Sequence, residues 1–403
     1  MDFQKAKQLD RWIGLPVCLL LSAAEIFRKI FGLRAPVKNP PLKRILFIGL
    51  SEMGSNVLAH GAIEKIKNDY PRAEIFFLVF DENKEAVALL GNIKSENILT
   101  IRHANLWTLF TGTLRFLKKT RRSSMDAVID MELFSRYSSA LAYMSGAKVR
   151  VGFHGYSIRG LNRGILLTHR VQFNPYKHIS RNFMALARAL TADPSDQPLV
   201  KEGWEEPVNG LPGPFLAADQ GVSILRKLKH ENPAITDQSR LVVINPDCAT
   251  RLPLRRWPAE KYGLLAERLL QLPDLFVVAV GIGPNEAGPA VKHERYINLI
   301  GKTTLRELLD LFSIAKVLVS HDSGAVHLAS VTGIAIVVMF GPETPFLYGP
   351  LNENKTVLSK DIFCSPCFSP FNNRTSVCGN NVCMKQISVD EVFRAVESRL
   401  DER

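Results

Sequence analysis

The sequence predicts an α/β chain of two successive units, each built around a parallel sheet. Three observations predict it. The chain has 403 residues, too many for one compact core and about right for two domains of ordinary size. Short apolar runs of strand type alternate with segments of helical spacing, first over 44–153 and again over 241–340. Between these blocks a stretch rich in proline and glycine, roughly 194–239, interrupts the alternation. A hydrophobic fraction of 46% with 22% charged residues is globular, so both units can bury a core.

Residues 1–41 stand apart from this pattern. Within them, 10–34 read DRWIGLPVCLLLSAAEIFRKIFGLR, and the uncharged run from Ile13 to Ala24 is shorter than the about 20 apolar residues needed to cross a bilayer. Lys5, Lys7 and Arg11 ahead of an apolar stretch that ends in small residues also fit a cleaved signal. The apolar pattern continues, however, through Ile26, Phe27, Ile30, Phe31 and Leu33, with Arg28, Lys29 and Arg34 interspersed. That favours an amphipathic helix lying on a membrane surface with Trp12 at headgroup depth. A helix simply packed on the domain is the third reading.

The first unit spans 42–200. RILFIGL (44–50), EIFFLVF (74–80), DAVIDM (126–131) and KVRVGF (148–153) read as strands, and Val57, Ile63 and Ile66 give 56–70 helical spacing. Residues 201–240 form a bridging segment with one helix around Ala217 to Leu228. The second unit, 241–386, brings strands at LVVINP (241–246), LFVVAVG (275–281), KVLVS (316–320) and AIVVMF (335–340). Such alternation implies right-handed crossovers between parallel strands. The chain closes over 387–403 with a helix that opens on Ser388 and Glu391 at capping-box spacing and carries Val392, Val396 and Leu400 on one face, expected as a strut toward the other domain.

An excess of 51 Lys+Arg over 39 Asp+Glu, net charge +12, favours anionic partners. Nucleic acid is not among those expected. The chain has no arginine-rich arm, no zinc-finger spacing and no run of basic residues interleaved with aromatics.

Residues 317–342, VLVSHDSGAVHLASVTGIAIVVMFGP, place a polar island between two strands. In an open parallel sheet the ligand sits at the carboxyl ends of the strands, which is where His321 to Gly324 fall. Unpaired backbone N–H groups at the start of a following helix bind phosphate readily, and Gly324 lets a diphosphate approach because no Cβ intervenes. Asp322 can accept hydrogen bonds from ligand hydroxyls, and His327 lies one turn into the helix. The plain alternative is that Asp322 or Ser323 caps the helix and His327 is a core residue.

The stretch resembles the signature of glycosyltransferase family 9, the heptosyltransferase family of lipopolysaccharide assembly. That pattern is Asp-Ser/Thr-Gly, a His three residues on, a helix, and a strand ending in Phe-Gly-Pro. Here it is Asp322, Ser323, Gly324, His327 and Phe340-Gly341-Pro342, with Thr344 and Gly349-Pro350 following. NPDCATRLPLRRWPAEKY (245–262) resembles the family's phosphate-binding loop, which implies that Thr250 and either Arg255 or Arg256 hold the donor diphosphate. GIGPNE (281–286) resembles its nucleotide-contacting turn, with Glu286 directed at ribose or base. The resemblance runs from about residue 43 to the end of the chain.

It implies the GT-B fold, two Rossmann-like domains facing a cleft, with donor on the C-terminal one, acceptor on the N-terminal one and a terminal helix crossing back. It also implies the function: transfer of a sugar, heptose first, from a nucleotide-diphosphate donor, ADP-heptose favoured, to a lipid-linked saccharide such as lipopolysaccharide core. The reaction is expected to invert configuration and to need no catalytic metal, since fixed protein charges stabilise the leaving diphosphate. The expected place is the cytoplasmic face of the inner membrane, peripherally held.

The sequence departs from the family pattern in one loop. There the family carries Gly-Asp, whose Asp resembles the general base, whereas LSEMGSNVLAHG (50–61) has Ser55 in that position. A serine hydroxyl cannot serve as the base unaided. Glu132 in DMELFSR is the first substitute and Glu52 the second, while Arg136 and His154 are candidates for the acceptor's anionic groups. Two rival readings stay open: a catalytically inactive nucleotide-sugar or glycolipid-binding protein, and a nucleotide-sugar epimerase. Finally, Cys364, Cys367, Cys378 and Cys383, at x2, x10 and x4 spacings, could complete a tetrahedral structural zinc site, with unliganded or redox-active thiols as the alternative, whereas Cys18 and Cys248 stand alone.

Overall fold

Strand β1 (Arg44–Ile48) pairs in parallel with β2 (Glu74–Phe80) on one side and β4 (Ala127–Asp130) on the other. Adding β3 (Ile98–Ile101), β5 (Val149–His154) and β6 (His169–Gln172) gives a sheet of order β3-β2-β1-β4-β5-β6. A second sheet is built from β7 (Arg240–Asn245), β8 (Leu275–Ala279), β9 (Tyr296–Asn298), β10 (Val317–His321), β11 (Ala335–Phe340) and β12 (Lys355–Ser359), in the order β12-β11-β10-β7-β8-β9. The computed structural model describes residues 8–32, 42–50, 52–133, 135–155, 163–201, 203, 222–246, 252–283 and 288–401. The chain divides into two compact units, Met1–Glu206 and Pro207–Arg403.

Both sheets are wholly parallel and have the same doubly wound order, which reverses between β1 and β4 in one and between β7 and β10 in the other. A crevice opens outside the carboxyl ends of the strands at each reversal, and ligands of such sheets bind there. The eight strands read from the sequence are the central eight. The four it missed, β3, β6, β9 and β12, are the four edges.

Central strands are mainly apolar because helices cover both faces, and their polar residues fall mostly at the strand ends. Leu46, Ile48, Leu78 and Ile101 of the first sheet pack against Phe116 of the helix Leu106–Ser123 and Leu141 of the helix Arg136–Met144. The segment expected as one helix over 56–70 is two, Met53–Leu58 and His60–Asp69. The bridging segment's helix runs Val222–Glu231 among the described residues. The closing helix, Val389–Asp401, begins at the reciprocal Ser388 and Glu391 box, and its Val392, Phe393 and Val396 join the second unit's own core.

The N-terminal helix, Leu15–Ile30, docks on the first unit with an unusual polarity. Its buried stripe is Cys18, Ser22 and Glu25, which helical spacing puts on one side. Ser22 Oγ accepts from the Ile165 N–H (3.1 Å), and Glu25 Oε2 accepts from Tyr143 Oη (3.0 Å). Just before the helix, Asp10 Oδ1 accepts from the backbone N–H groups of Arg136 (2.8 Å) and Tyr137 (3.0 Å), capping the helix that starts there. Trp12, Leu20, Phe27, Ile30 and Phe31 are left exposed. Among the described residues no helix is long and apolar enough to cross a membrane.

Candidate active site

In the second unit the two strands at the reversal are stitched together by hydroxyls and an amide. Asn245, the last residue of β7, donates from Nδ2 to Ser320 Oγ (3.3 Å) and to Ser323 Oγ (3.2 Å), and those two hydroxyls lie 3.1 Å apart. Ser323 precedes the helix Gly324–Ala329 but its side chain does not cap it. His327 is buried within that helix. The island is therefore not a simple cap. It is a cross-link between strand ends, from which Asp322 projects.

Asp322 Oδ2 lies 3.2 Å from Arg255 Nη1, and Arg255 Nη2 lies 3.5 Å from Glu343 Oε2. Glu343 in turn pairs with Arg374 Nε at 3.1 Å, and the Arg374 guanidinium stacks 4.2 Å above the Tyr348 ring. A guanidinium held between two carboxylates has its direction set in advance, and it matches phosphate oxygens through its planar donor fork.

His321 has a defined protonation. Tyr262 Oη accepts the backbone N–H of His321 (3.1 Å) and lies 2.9 Å from Nδ1. The hydroxyl and the imidazole nitrogen thus share one hydrogen bond, which fixes the orientation of the ring. Burial, then the charges of Arg256 and Arg255, push the pKa down to about 3, so the ring is neutral. Nε2 has no hydrogen-bond partner among the described residues.

The cysteine segment forms the wall of this site. Asn381 Nδ2 donates to the carbonyls of Leu254 (3.0 Å) and Arg256 (2.8 Å), gripping the backbone on both sides of Arg255. Trp257 Nε1 donates to the Ile387 carbonyl (3.0 Å), and Ser365 Oγ to that of Gly341 (2.7 Å). Gly341 has to be glycine: a Cβ there would stand 2.7 Å from Met384 Sδ and 2.8 Å from Cys383 Sγ. The four thiols are free, and burial raises the pKa of Cys383. Among the described residues no group of three or more His, Cys, Asp or Glu side chains could hold a metal ion. The thiols of Cys367, Cys378 and Cys364 nevertheless lie near enough to Cys383 to add to the rise in its pKa that burial causes.

The first unit's crevice is lined by carboxylates. Glu132 Oε1 accepts the Leu50 N–H at 2.6 Å, pinning the end of β1 to that of β4. Glu52 Oε2 accepts from Ser55 Oγ at 3.1 Å. Beneath them Asp130 accepts from Ser138 Oγ and Ser139 Oγ, both at 2.9 Å, and from Arg163 Nη1 at 3.3 Å. Burial raises the Asp130 pKa, against the opposing pull of Arg163 and the two serines. Arg163 also donates to the carbonyls of Phe153 and Glu132.

Arg136 and His154, expected to meet the acceptor, both lie in the first unit. The Arg136 guanidinium pairs with Asp10 at 3.3 Å and holds the N-terminal segment. His154 ends β5, one strand away from the reversal, and burial followed by Arg170 and Arg163 lowers its pKa to about 4. Thr250 and Glu286 lie outside the described residues. Sequence reasoning missed Glu343, Arg374, Asn381, Asn245 and Arg163. Glu343 had a signal, since it directly follows Phe340-Gly341-Pro342, and so did Asn245, which opens the segment 245–262.

The chain matches the profile of glycosyltransferase family 9 (heptosyltransferase) over residues 113–376. It is 26% identical over 326 residues to lipooligosaccharide heptosyltransferase 2 of Haemophilus influenzae, covering 78% of this chain and 88% of that protein. Lipopolysaccharide heptosyltransferase 2 of Salmonella typhimurium is 30% identical over 324 residues, covering 78% and 87%. The solved structure of ADP-heptose lipopolysaccharide heptosyltransferase II from Escherichia coli shares the fold, with a TM-score of 0.67 at 18% identity over 89% of this chain and 98% of that one. Two doubly wound parallel sheets are those of the GT-B type, and the donor-side motif stands where such sheets bind ligands. The chain belongs to glycosyltransferase family 9 and is an enzyme of the heptosyltransferase kind.

Proposed function

We propose that this glycosyltransferase moves a heptose from ADP-heptose to a lipid-linked envelope saccharide such as lipopolysaccharide core. The observation that carries the reading is Arg255, held by Glu343 and by Asp322 at the end of β10, with Arg256 beside it in the chain. These cations suit a diphosphate. The names of the lipopolysaccharide and lipooligosaccharide relatives support both heptose and acceptor.

The reaction is one displacement at the anomeric carbon. The acceptor oxygen bonds to that carbon on the face opposite the diphosphate, the carbon–oxygen bond to the diphosphate breaks, and ADP departs as an anion. Arg255 and Arg256 stabilise the charge that develops on it, so no catalytic metal is needed. The acceptor hydroxyl's proton passes to a carboxylate. Glu52 is preferred over Glu132 for that role. Its Oε2 accepts from the hydroxyl of Ser55, which holds the position where the family pattern carries its Asp, whereas Glu132 Oε1 accepts the backbone N–H of Leu50. A carboxylate at that place speaks against the inactive-binder reading.

The site of action is the cytoplasmic face of the inner membrane, held by the N-terminal helix. Its support is the inverted polarity of that helix, which turns Ser22 and Glu25 inward and Trp12, Leu20 and Phe27 outward. The test is purified full-length protein with ADP-heptose and a heptose-deficient lipopolysaccharide acceptor, in the presence of EDTA, read by mass spectrometry as gain of one heptose. Thermal stabilisation by ADP-heptose without transfer to any acceptor would leave a binding protein, and consumption of donor without acceptor an epimerase.

A further inference from the structure

The helix Leu106–Ser123 lies on the first unit with Phe116 and Thr120 buried beneath it. Its outward face changes character along its length. The first turns expose Leu106, Trp107, Phe110 and Leu114, with Trp107 71% exposed and its ring 6.2 Å from that of Phe110. The later turns carry Arg115, Lys118, Lys119, Arg121 and Arg122, and the helix contains no acid. Single exposed apolar residues need no explanation. A cluster of four within nine residues, bordered by cations, is an interaction surface.

This face is not isolated. Tyr137 joins it to the N-terminal segment: its backbone N–H is held by Asp10 Oδ1 at 3.0 Å, and its hydroxyl lies 2.5 Å from Thr113 Oγ1. Asp10 is two residues from Trp12, and Thr113 is next to Leu114, so one tyrosine touches both of the elements that carry the exposed apolar residues. The outward charges on both helices are basic, including Arg28 and Lys29 on the first, while the acids Asp10 and Glu25 turn inward to Arg136 and Tyr143. Aromatic and aliphatic side chains ringed only by cations complement an anionic bilayer surface.

The position also has a functional sense. A crossover helix starts at the carboxyl end of the strand before it, here β3, so the aromatic half of this helix is its end nearest the crevice edge of the sheet. Attachment there brings that edge toward the surface in which a lipid-linked acceptor resides.

We propose that the helix Leu106–Ser123 is a second membrane-docking element, which seats Trp107 and Phe110 at headgroup depth and holds anionic lipid phosphates through its basic later turns. The inference rests on the membrane-surface reading of the N-terminal helix. Two elements side by side fix the tilt of the first unit on the bilayer, which one helix alone leaves free.

The experiment is flotation of full-length protein with vesicles of phosphatidylcholine containing phosphatidylglycerol, and with phosphatidylcholine alone. The first variant is Trp107→Ser with Phe110→Ser, the second Lys118→Glu with Arg122→Glu, and the third Trp12→Ser with Phe27→Ser. The first should bind the anionic vesicles at least tenfold more weakly than wild type, and the second about 100-fold more weakly. Both should keep the wild-type thermal midpoint and ADP-induced stabilisation. In a Trp12→Phe background, anionic vesicles should shift tryptophan emission to the blue, and Trp107→Phe should abolish the shift. If the first two variants bind like wild type while the third loses binding, the second element is refuted and the N-terminal anchor stands. If wild type itself does not float, both fall. If Trp107→Ser instead abolishes a dimer in sedimentation without changing flotation, the patch is a self-association face and the inference is overturned.

Discussion

The two reversal crevices have the same strand order and make opposite use of an aspartate and an arginine. In the first unit Asp130 ends β4 and pairs with Arg163, and both side chains are 0% accessible. That arginine is also bound by the Phe153 and Glu132 carbonyls, so the pair is an internal brace. In the second unit Asp322 follows β10 and pairs with Arg255, whose side chain keeps 14% accessibility and reaches a second carboxylate, Glu343. One arginine is sealed and the other keeps some exposure. The same strand order thus carries a fully buried ion pair in one unit and a partly accessible one in the other.

The largest effect that would sharpen this comparison belongs to the carboxylates above the sealed pair. Glu52→Gln should lower kcat by about 10²–10⁴-fold while ADP binding is retained, because it removes a proton acceptor and leaves the donor site whole. Glu132→Gln should cost less, and a reversal of that ranking in steady-state kinetics would return the base to Glu132. Arg255→Ala should reduce kcat/KM by about 10²–10³-fold and remove the thermal shift given by ADP, with the protein still folded. Arg163→Ala should instead strand a buried aspartate and cost about 3–5 kcal/mol in denaturant unfolding. A folded, fully stable Arg163→Ala protein that lost only turnover would break the distinction between strut and binding group.

A smaller effect separates the units by pH. His321 has a folded pKa of about 3 against an ordinary 6.5, so below pH 6.5 the unfolded chain binds the extra proton. Stability is unaffected above that value and falls through the window down to about 3, by up to about 1.4 kcal/mol per pH unit. His154, with a folded pKa of about 4, acts in the same direction over its shorter window. His321→Asn should therefore show a shallower loss of urea midpoint between pH 6.5 and 4 than wild type. The smallest expected change is for Asn381→Ala. Losing two hydrogen bonds to the Arg255 loop, at about 1 kcal/mol each, should weaken ADP binding several-fold in calorimetry without touching the first unit.

Legibility followed position in the sheet. Runs such as IFFLVF and AIVVMF lie between two strands and under two helix layers, so every residue is apolar and the run declares itself. The edges HRVQ of β6 and KTVLS of β12 pair on one side only and carry polar residues, which no periodicity distinguishes from loop. The capping box at Ser388 was readable because its partners are three residues apart. The family motif after β10 was legible for the same reason, since Asp322, Ser323, Gly324 and His327 are neighbours in the chain.

By itself, then, the sequence determined the two α/β units, the family and the placing of the donor motif at a strand end, all of which depend on contacts between near neighbours. The tertiary structure alone decided which arginine is sealed and which keeps some exposure, that Tyr262 meets His321 across 59 residues, and that Asn381 grips the Arg255 loop across more than 120. It also decided which face of the N-terminal helix is turned outward. The hydrophobic pattern shows that the helix has two faces, and only the partners offered by Ile165, Tyr143 and Arg150 make the polar one the buried one.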